Sequence, residues 1–350
     1  MTTLRELARH LGLSPATVSR ALNGFPEVGQ ATRARVLAAS ETLNYTPNVT
    51  AKRLATGKSG MVGLVFRTLP GYTIDPHFAD FLASLSEALA DSRIDLVFHV
   101  ASAEDQLSHY RRFVKDGVVD GMILSAPEPD DARIALMESR NLPFVVHGRG
   151  TEDAGYAYFD IDNAGAFRAA TTLLVELGHR RIAFLNGSER LGFARQRRGA
   201  YDAVLASRGL RTPQRFVVHG EMTEETGYAA AAAMLAEPVA QRPSAFICSS
   251  TLQALGVMRA AAEAGLTIGS ELSIISHDDV LPHLRSENFA PPLTVTRAPI
   301  RNAGPALAQM IMARMDDVAP ARLQRIEKAD LIVRASTGRV PKWGEEAWTH

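Results

Sequence analysis

The chain has 350 residues, 46% of them hydrophobic and 22% charged, with 38 basic side chains balanced by 38 acidic ones. Length of this order suits two or three domains, and the composition excludes a disordered or collagen-like chain. The neutral sum hides a division: residues 1–60 hold eight basic and three acidic residues, a net of +5, so the remainder sums to −5. A basic head on an acidic body either meets a polyanion or merely solvates a small helical domain. The single cysteine, Cys248, excludes an internal disulfide and fits a reducing compartment. Arg5, Glu6 and Arg9 stand where a secretory leader needs an apolar run, and no stretch is long enough to span a bilayer. The expectation is a cytoplasmic protein without membrane contact.

Thr3 and Glu6 have capping-box spacing and open a first helix, with Leu4, Leu7, Ala8 and Leu11 on one face and Gly12 at its end. Ser14 as N-cap and Pro15 at the first helical position open a second, Pro15 to Asn23, stopped by Gly24. A third runs from about Ala31 to Leu43, with Val36, Leu37 and Leu43 expected inward. Helix, glycine-containing turn, helix is the helix-turn-helix plan. Val18, Ala21 and Leu22 face the first helix, which leaves Pro15, Ala16, Ser19 and Arg20 toward solvent. Residues so placed reach base edges in a major groove. Arg20 suits a guanine, Thr17 and Ser19 suit phosphate oxygens, and Asn23 completes the expected DNA-facing set. Helical spacing alone leaves open a three-helix packing module without affinity for DNA.

Pro47 disfavours helix at Thr46, so a new segment begins there, and the nine or so residues from Asn48 to Thr56 are too few for a stable isolated helix. Lys52 and Arg53 supply charge for phosphates, and Leu54 has no core nearby. A plain linker is the alternative for 46–60, and Gly57-Lys58-Ser59-Gly60 reads as one. Those residues are not a phosphate loop, because Lys52 stands where the first glycine is required.

From Met61 the pattern becomes strand, helix, strand. Runs at Met61 to Phe66, Ile94 to Val100, Val119 to Leu124 and Leu142 to His147 alternate with helices near 76–92, 104–116 and 130–140. A second set repeats the plan, with strands at Arg181 to Leu185, Phe216 to Val218, Ala245 to Cys248 and Leu272 to Ile275, and helices near 163–177, 194–208, 224–236 and 252–264. This predicts an α/β body of two doubly wound parallel-sheet lobes behind an all-α head, with a ligand cleft outside the carboxyl ends of the strands.

Leu7-Ala8-Arg9-His10-Leu11-Gly12-Leu13-Ser14 running into Ala16-Thr17-Val18-Ser19-Arg20-Ala21-Leu22-Asn23-Gly24, and Asn44-Tyr45-Thr46-Pro47-Asn48 later, resembles the head of the lactose-repressor (galactose-repressor) family. The resemblance continues through Leu177-Gly178-His179-Arg180-Arg181-Ile182-Ala183-Phe184-Leu185, Ala254-Leu255-Gly256-Val257-Met258-Arg259-Ala260 and Leu331-Ile332-Val333-Arg334-Ala335-Ser336-Thr337-Gly338. It implies base reading by Pro15, Ala16 and Arg20. It also implies a hinge helix over Asn48 to Thr56 that orders only on DNA and enters the minor groove, with Leu54 as wedge and Ala51 one turn earlier on the same face. It implies a head of 1–45, a hinge and linker of 46–60, an effector-binding body of 61–340 resembling periplasmic sugar-binding proteins, and a tail of 341–350. Lobe one would hold about 61–160 plus a helix near 299–315. Lobe two would hold about 161–290 plus the C-terminal strands, the chain crossing between lobes after Pro291.

The resemblance places an effector site at Asp75 and Phe78 of Asp75-Pro76-His77-Phe78, at Arg197 and at Asp278. Such groups hold sugar hydroxyls through charge-assisted bonds and aromatic contact. Arg149 at a strand end, and Phe193 and Met222 as walls, extend the set. Ser250 and Thr251 replace the family's Asn-Asp, and Ser276-His277-Asp278-Asp279 replaces its Gly-Phe/Tyr-Asp-Asp. Arg195, Arg197 and Arg198 also suit a solvated helix face, and Asp278 a helix cap. His147-Gly148-Arg149 and Asp160-Ile161-Asp162-Asn163 resemble regulators of alpha-glucoside utilisation.

The expected protein is a repressor working as a homodimer on a palindromic operator in double-stranded DNA, released by a mono- or disaccharide. The family's tetramers carry a C-terminal leucine heptad that Lys342 to His350 lacks. An activator would share the architecture, and a sugar-binding receptor would share the body. An enzyme is not expected, since there is no nucleophile elbow, HExxH or dinucleotide glycine pattern. Neither is a cofactor or a metal, His277 standing alone among carboxylates.

Overall fold

The computed structural model describes residues 2–45, 57–67, 76–102 and 105–345. They divide into two compact units, within Met1–Ser59 and Gly60–His350. The first holds α1 (Leu4–Leu11), α2 (Pro15–Leu22) and α3 (Gln30–Thr42). The capping box forms as its residues dictate: Thr3 Oγ1 accepts from the Glu6 N–H at 3.3 Å, and Glu6 Oε2 accepts from the Thr3 N–H at 2.7 Å. Gly12 at φ 66° closes α1, and Ser14 Oγ caps α2 by accepting from the Thr17 N–H at 3.0 Å. Leu7, Ala8, Val18, Ala21, Val36 and Ala39 form the shared core. Leu37, expected inward, is 46% exposed. Val36 and Ala39 are three apart and share the buried stripe, and Leu37 is rotated about 100° off it. The hinge expectation over 46–56 lies outside the described residues.

The second unit carries two six-stranded sheets. In lobe one, β1 (Met61–Arg67), α4 (Pro76–Asp91), β2 (Asp95–Ala101), α5 (Gln106–Asp116), β3 (Gly121–Ser125), α6 (Ala132–Ser139), β4 (Phe144–His147) and β5 (Tyr158–Ile161) follow in turn. Lobe two has α7 (Asn163–Glu176), β6 (Ile182–Asn186), α8 (Gly192–Ser207), β7 (Val217–His219), α9 (Glu224–Leu235), β8 (Ala245–Cys248), α10 (Thr251–Glu263), β9 (Ser273–Asp278) and β10 (Thr294–Arg297). The chain then returns to lobe one for α11 (Ala303–Met315) and β11 (Gln324–Glu327), and ends its sheets with β12 (Asp330–Ile332) in lobe two.

The strand orders are β2-β1-β3-β4-β5-β11 and β7-β6-β8-β9-β10-β12. Each begins 2-1-3-4-5 in its own lobe's numbering, so each lobe has a switch point where the order reverses, between β1 and β3 and between β6 and β8. All neighbours run parallel except β12 against β10. Apolar side chains lie on both faces of each sheet, as burial between helix layers requires.

Three expectations are corrected. β10 extends the lobe-two sheet beyond Pro291, so the return crossing starts after Arg297. The C-terminal strands divide between the lobes: β11 pairs with β5, and β12 with β10. β11 is a polar edge strand, Gln324-Arg325-Ile326-Glu327, and β12 an edge strand of three residues, so neither carries a pattern that says which sheet it joins. The supposed tail is packed from its first turn: Trp343, in α12 (Lys342–Glu345), sits 4.8 Å from the Arg242 guanidinium. α11 packs on lobe one, where a Cβ on Gly304 would stand 2.3 Å from Ser84 Oγ of α4, so only glycine permits that approach. No helix among the described residues is long and apolar enough to cross a membrane.

Candidate ligand cleft and nucleic-acid interface

On the head, packing of Val18 and Ala21 turns the opposite side of α2 outward. Pro15, Ala16 and Arg20 are exposed, and Thr17 and Ser19 are half-buried. The Arg20 guanidinium stands 3.9 Å from Glu27, with the two side chains 59% and 51% exposed. A surface pair of that length holds it weakly. Asn23 is less available than expected, because its amide donates to the Ser19 carbonyl at 2.8 Å and closes the helix. Asn48, Ala51 and Leu54 lie outside the described residues.

In the body, a cavity of about 640 Å³ opens between the lobes at the carboxyl ends of β1, β3, β6 and β7. Phe66 and Glu128 come from lobe one; Gly187, Arg190, Phe193 and Met222 from lobe two. Phe193 and Met222 meet over Gly187, where an added Cβ would stand 2.8 Å from the Phe193 ring and 3.5 Å from the Met222 sulfur. That places both expected wall residues on one side of the cleft. Phe78 is buried and stacks behind Phe66, ring centroids 3.8 Å apart, so Phe66 presents the aromatic surface. Asp75 lies outside the described residues.

The lining cations are matched by carboxylates. Glu128 is 3.7 Å from Arg67 and, across the cleft, 3.0 Å from Arg190. Arg133 donates through Nε to Asp131 at 2.8 Å and through Nη2 to the Ser125 carbonyl at 3.1 Å, which fixes the loop after β3. Asp130 and Glu221 add further negative charge to the lining, and Glu224, also there, pairs with Arg259. A second, shallower hollow of about 710 Å³ lies beside Met258, Arg259 and Pro291 on lobe two, away from the strand ends.

Arg197 is 5% exposed and packs between two rings, its guanidinium 4.8 Å from both Phe167 and Phe193. Nε donates to Asn163 Oδ1 at 2.8 Å and Nη1 to the Ser249 carbonyl at 3.0 Å. Burial pushes its pKa down to about 10, against the opposing charges of Asp279 and Asp160. It therefore stands behind Phe193, a residue of the cleft lining, and not on a solvated helix face. Arg149 donates to Asp160 at 2.8 Å and reaches Gln196 at 3.3 Å. Burial raises the Asp160 pKa more than Arg149 lowers it. Ser250 caps α10 and donates to the Met222 carbonyl at 3.0 Å, holding that wall in place.

Asp278 is placed otherwise than expected. It is 1% exposed, and both oxygens serve its own loop: Oδ1 accepts from the Val280 N–H at 2.8 Å and Oδ2 from the Ser286 hydroxyl at 2.6 Å. Sequence reasoning passed over Asn163, Glu128 and Asp279. Asn163 and Asp279 stand inside Asp160-Ile161-Asp162-Asn163 and Ser276-His277-Asp278-Asp279. The contacts that bring all three residues to the cleft region span 34 residues or more in the chain, which no local pattern shows.

Comparison with known proteins agrees with both halves of this geometry. The family model "Bacterial regulatory proteins, lacI family" matches residues 3–48, and that of a periplasmic binding protein-like domain matches residues 171–337. The transcriptional regulator AglR of Rhizobium meliloti is 44% identical over 341 residues, 97% of this chain and 95% of its own. Among solved structures, the lac repressor dimer bound to operator and the anti-inducer ONPF superposes with a TM-score of 0.79 at 25% identity, covering 96% of this chain and 99% of that one. The regulator CelR in complex with cellobiose gives 0.69 at 26% identity, covering 96% and 100%. Likeness of this extent, at this identity and in both the reading head and the two-lobed body, makes the chain a member of the lacI family of bacterial regulatory proteins.

Proposed function

We propose that the protein represses a carbohydrate uptake or catabolism operon, binding a palindromic operator as a homodimer and leaving it when a mono- or disaccharide occupies the cleft. The observation that carries this is the union, on one chain, of a helix-turn-helix with an open reading face and a two-lobed body with a cleft at its strand ends. Pro15, Ala16 and Arg20 read base edges, Thr17 and Ser19 position the backbone, and Asn23 chiefly closes α2. Asn48, Ala51 and Leu54 form the conditional hinge, Leu54 being its wedge. A two-fold dimer matches a palindrome because each half-site then meets the same surface.

Phe193 and Met222 wall the effector site from lobe two and Phe66, backed by Phe78, from lobe one. Arg197 stands behind Phe193, Arg149 and Ser250 brace that side, and Asp75 completes the proposed set. Asp278 holds the loop after β9 and does not meet the ligand. Balanced arginines and an acidic excess favour a neutral polyhydroxyl ligand over a phosphorylated sugar. The cellobiose complex of CelR supports a glycoside, and His147-Gly148-Arg149 with Asp160-Ile161-Asp162-Asn163, which resemble regulators of alpha-glucoside utilisation, support an alpha-glucoside. Such an effector acts by binding one lobe arrangement more tightly than another. The reading assigns no catalysis and no cofactor, and places the protein in the cytoplasm. It is tested by selecting duplexes from a random pool with the full chain. A palindromic consensus is expected, and a pool that stays unenriched would overturn the reading.

A further inference from the structure

Beside the chain's return from lobe two to lobe one a carboxylate faces both lobes. His77, in the first turn of α4, places Nε2 3.3 Å from Asp279 Oδ2. Asp279 follows β9 in lobe two, and its Oδ1 lies 3.6 Å from Nε2 of His277. His77 is 8% exposed, His277 1%, and the Asp279 side chain 13%. The Asp279 carbonyl accepts from the Ile300 N–H at 3.0 Å, so the carboxylate sits beside the chain's return to lobe one. A buried contact so near a crossover changes with the angle between the lobes.

The two imidazoles differ. His277 meets Thr296 Oγ1 through Nδ1 at 3.0 Å, and burial, with Arg197 and His77 nearby, holds its pKa well below the usual histidine range. It stays neutral, which leaves His77 as the ring able to take a proton against Asp279. The charged groups around the pair are Arg197 from α8, offset by Asp279 and Asp160, and Asp80 on α4, tied to Arg301 at 2.8 Å. His147, on β4, stacks on Phe81 of α4 at 4.8 Å and is kept neutral by burial. Asp75, two residues before His77, lies outside the described residues.

We propose that His77 and Asp279 form a proton-operated latch between the lobes, in which Asp279 is the positioning residue and protonation of His77 favours the lobe arrangement seen here. The approach of His77 Nε2 to Asp279 is at ion-pair distance but is not aligned as a hydrogen bond, so a buried carboxylate there attracts an imidazolium far more than a neutral ring. The linkage is reciprocal: the factor by which this arrangement tightens proton binding is the factor by which the proton tightens the arrangement. The latch would add to any effector's influence on the same equilibrium, and it does not depend on which ligand the cleft takes.

The test uses the full chain without ligand. Spin labels on cysteines introduced as Ser139→Cys in lobe one and Ser207→Cys in lobe two report the interlobe distance, since native Cys248 is fully buried and stays unlabelled. Between about pH 6 and about pH 8, either side of the ordinary histidine pKa, the ratio of near to far populations should fall severalfold. His77→Gln and Asp279→Asn should each give the high-pH distribution at both values. A distribution in the unsubstituted background that ignores pH would overturn the latch, even if a variant failed to fold. So would a pH response that persists in His77→Gln.

Discussion

Replacing Arg197 with alanine strips a buried guanidinium from a site where each of its contacts can be weighed. Asn163 Oδ1 and the Ser249 carbonyl lose their donors, at about 1–3 kcal/mol apiece for a buried acceptor left unpaired. Contact with the Phe167 and Phe193 rings adds about 0.5–2 kcal/mol more. Against this, burial already disfavours the charge, as its lowered pKa shows, so removing it returns part of the loss. The net is a destabilisation of about 2–4 kcal/mol. A domain this large shifts by about 2 °C per kcal/mol, which predicts a melting temperature lower by about 4–8 °C. Arg197→Lys keeps the charge without the planar contacts and should fall between. Calorimetry on the full chain, with and without a saturating alpha-glucoside, gives both readouts. The ligand-induced rise in melting temperature should vanish in Arg197→Ala. A variant that melts with the unsubstituted protein and keeps its full ligand response would refute the reasoning.

On the head, Arg20→Ala should lower preference for the selected operator over random DNA by about 1–3 kcal/mol and leave the salt dependence of nonspecific binding nearly intact. Competition binding at two salt concentrations separates the effects, and unchanged specificity would remove Arg20 from the base-reading set. In lobe two, His179 is fully buried between Ser244 Oγ (2.9 Å) and Ser273 Oγ (3.0 Å), and burial pushes its pKa down to about 4. The folded state then stays unprotonated where the unfolded chain, with a pKa near 6.5, takes up a proton. Stability from this group is thus present above about pH 6.5 and lost as the pH falls toward 4, about 2 kcal/mol of it by pH 5. Urea melting midpoints should fall accordingly as the pH is lowered through that range, at an unchanged m-value. His179→Gln should flatten the dependence by one proton, and an unaltered slope would contradict the assignment.

Much of the fold could be read because its signals are local. Thr3 with Glu6, and Ser14 with Pro15, carry their caps within one helical turn, and the buried strands of both lobes are unbroken apolar runs. β5 and β10 fall outside the strand-helix alternation that marks the other strands, since no α-helix separates β5 from β4 or β10 from β9. β11 and β12 follow the last long helix with no such alternation to bound them. Leu37 was misplaced by a single step around a helix whose stripe is only two residues wide at that point. The site was harder. Phe193 and Met222 line the cleft and Arg197 stands behind Phe193, an order that depends on packing and that spacing in the chain does not give. Asp278 and Asp279 show the limit best: successive residues leaving a strand point opposite ways, and sequence alone does not say which carboxylate turns toward the other lobe. His77 and Asp279 meet only because two separately folded lobes bring them together.

The most direct measurement of the central claim follows the selected palindrome, labelled and bound by the full chain, while maltose, trehalose, cellobiose and glucose 6-phosphate are each titrated in. Fluorescence anisotropy reports occupancy. The account predicts release by a neutral glucoside, no release by the phosphorylated sugar, and loss of the response in Arg197→Ala at a temperature where that variant remains folded. Occupancy that no neutral sugar alters, or release by glucose 6-phosphate alone, would contradict it.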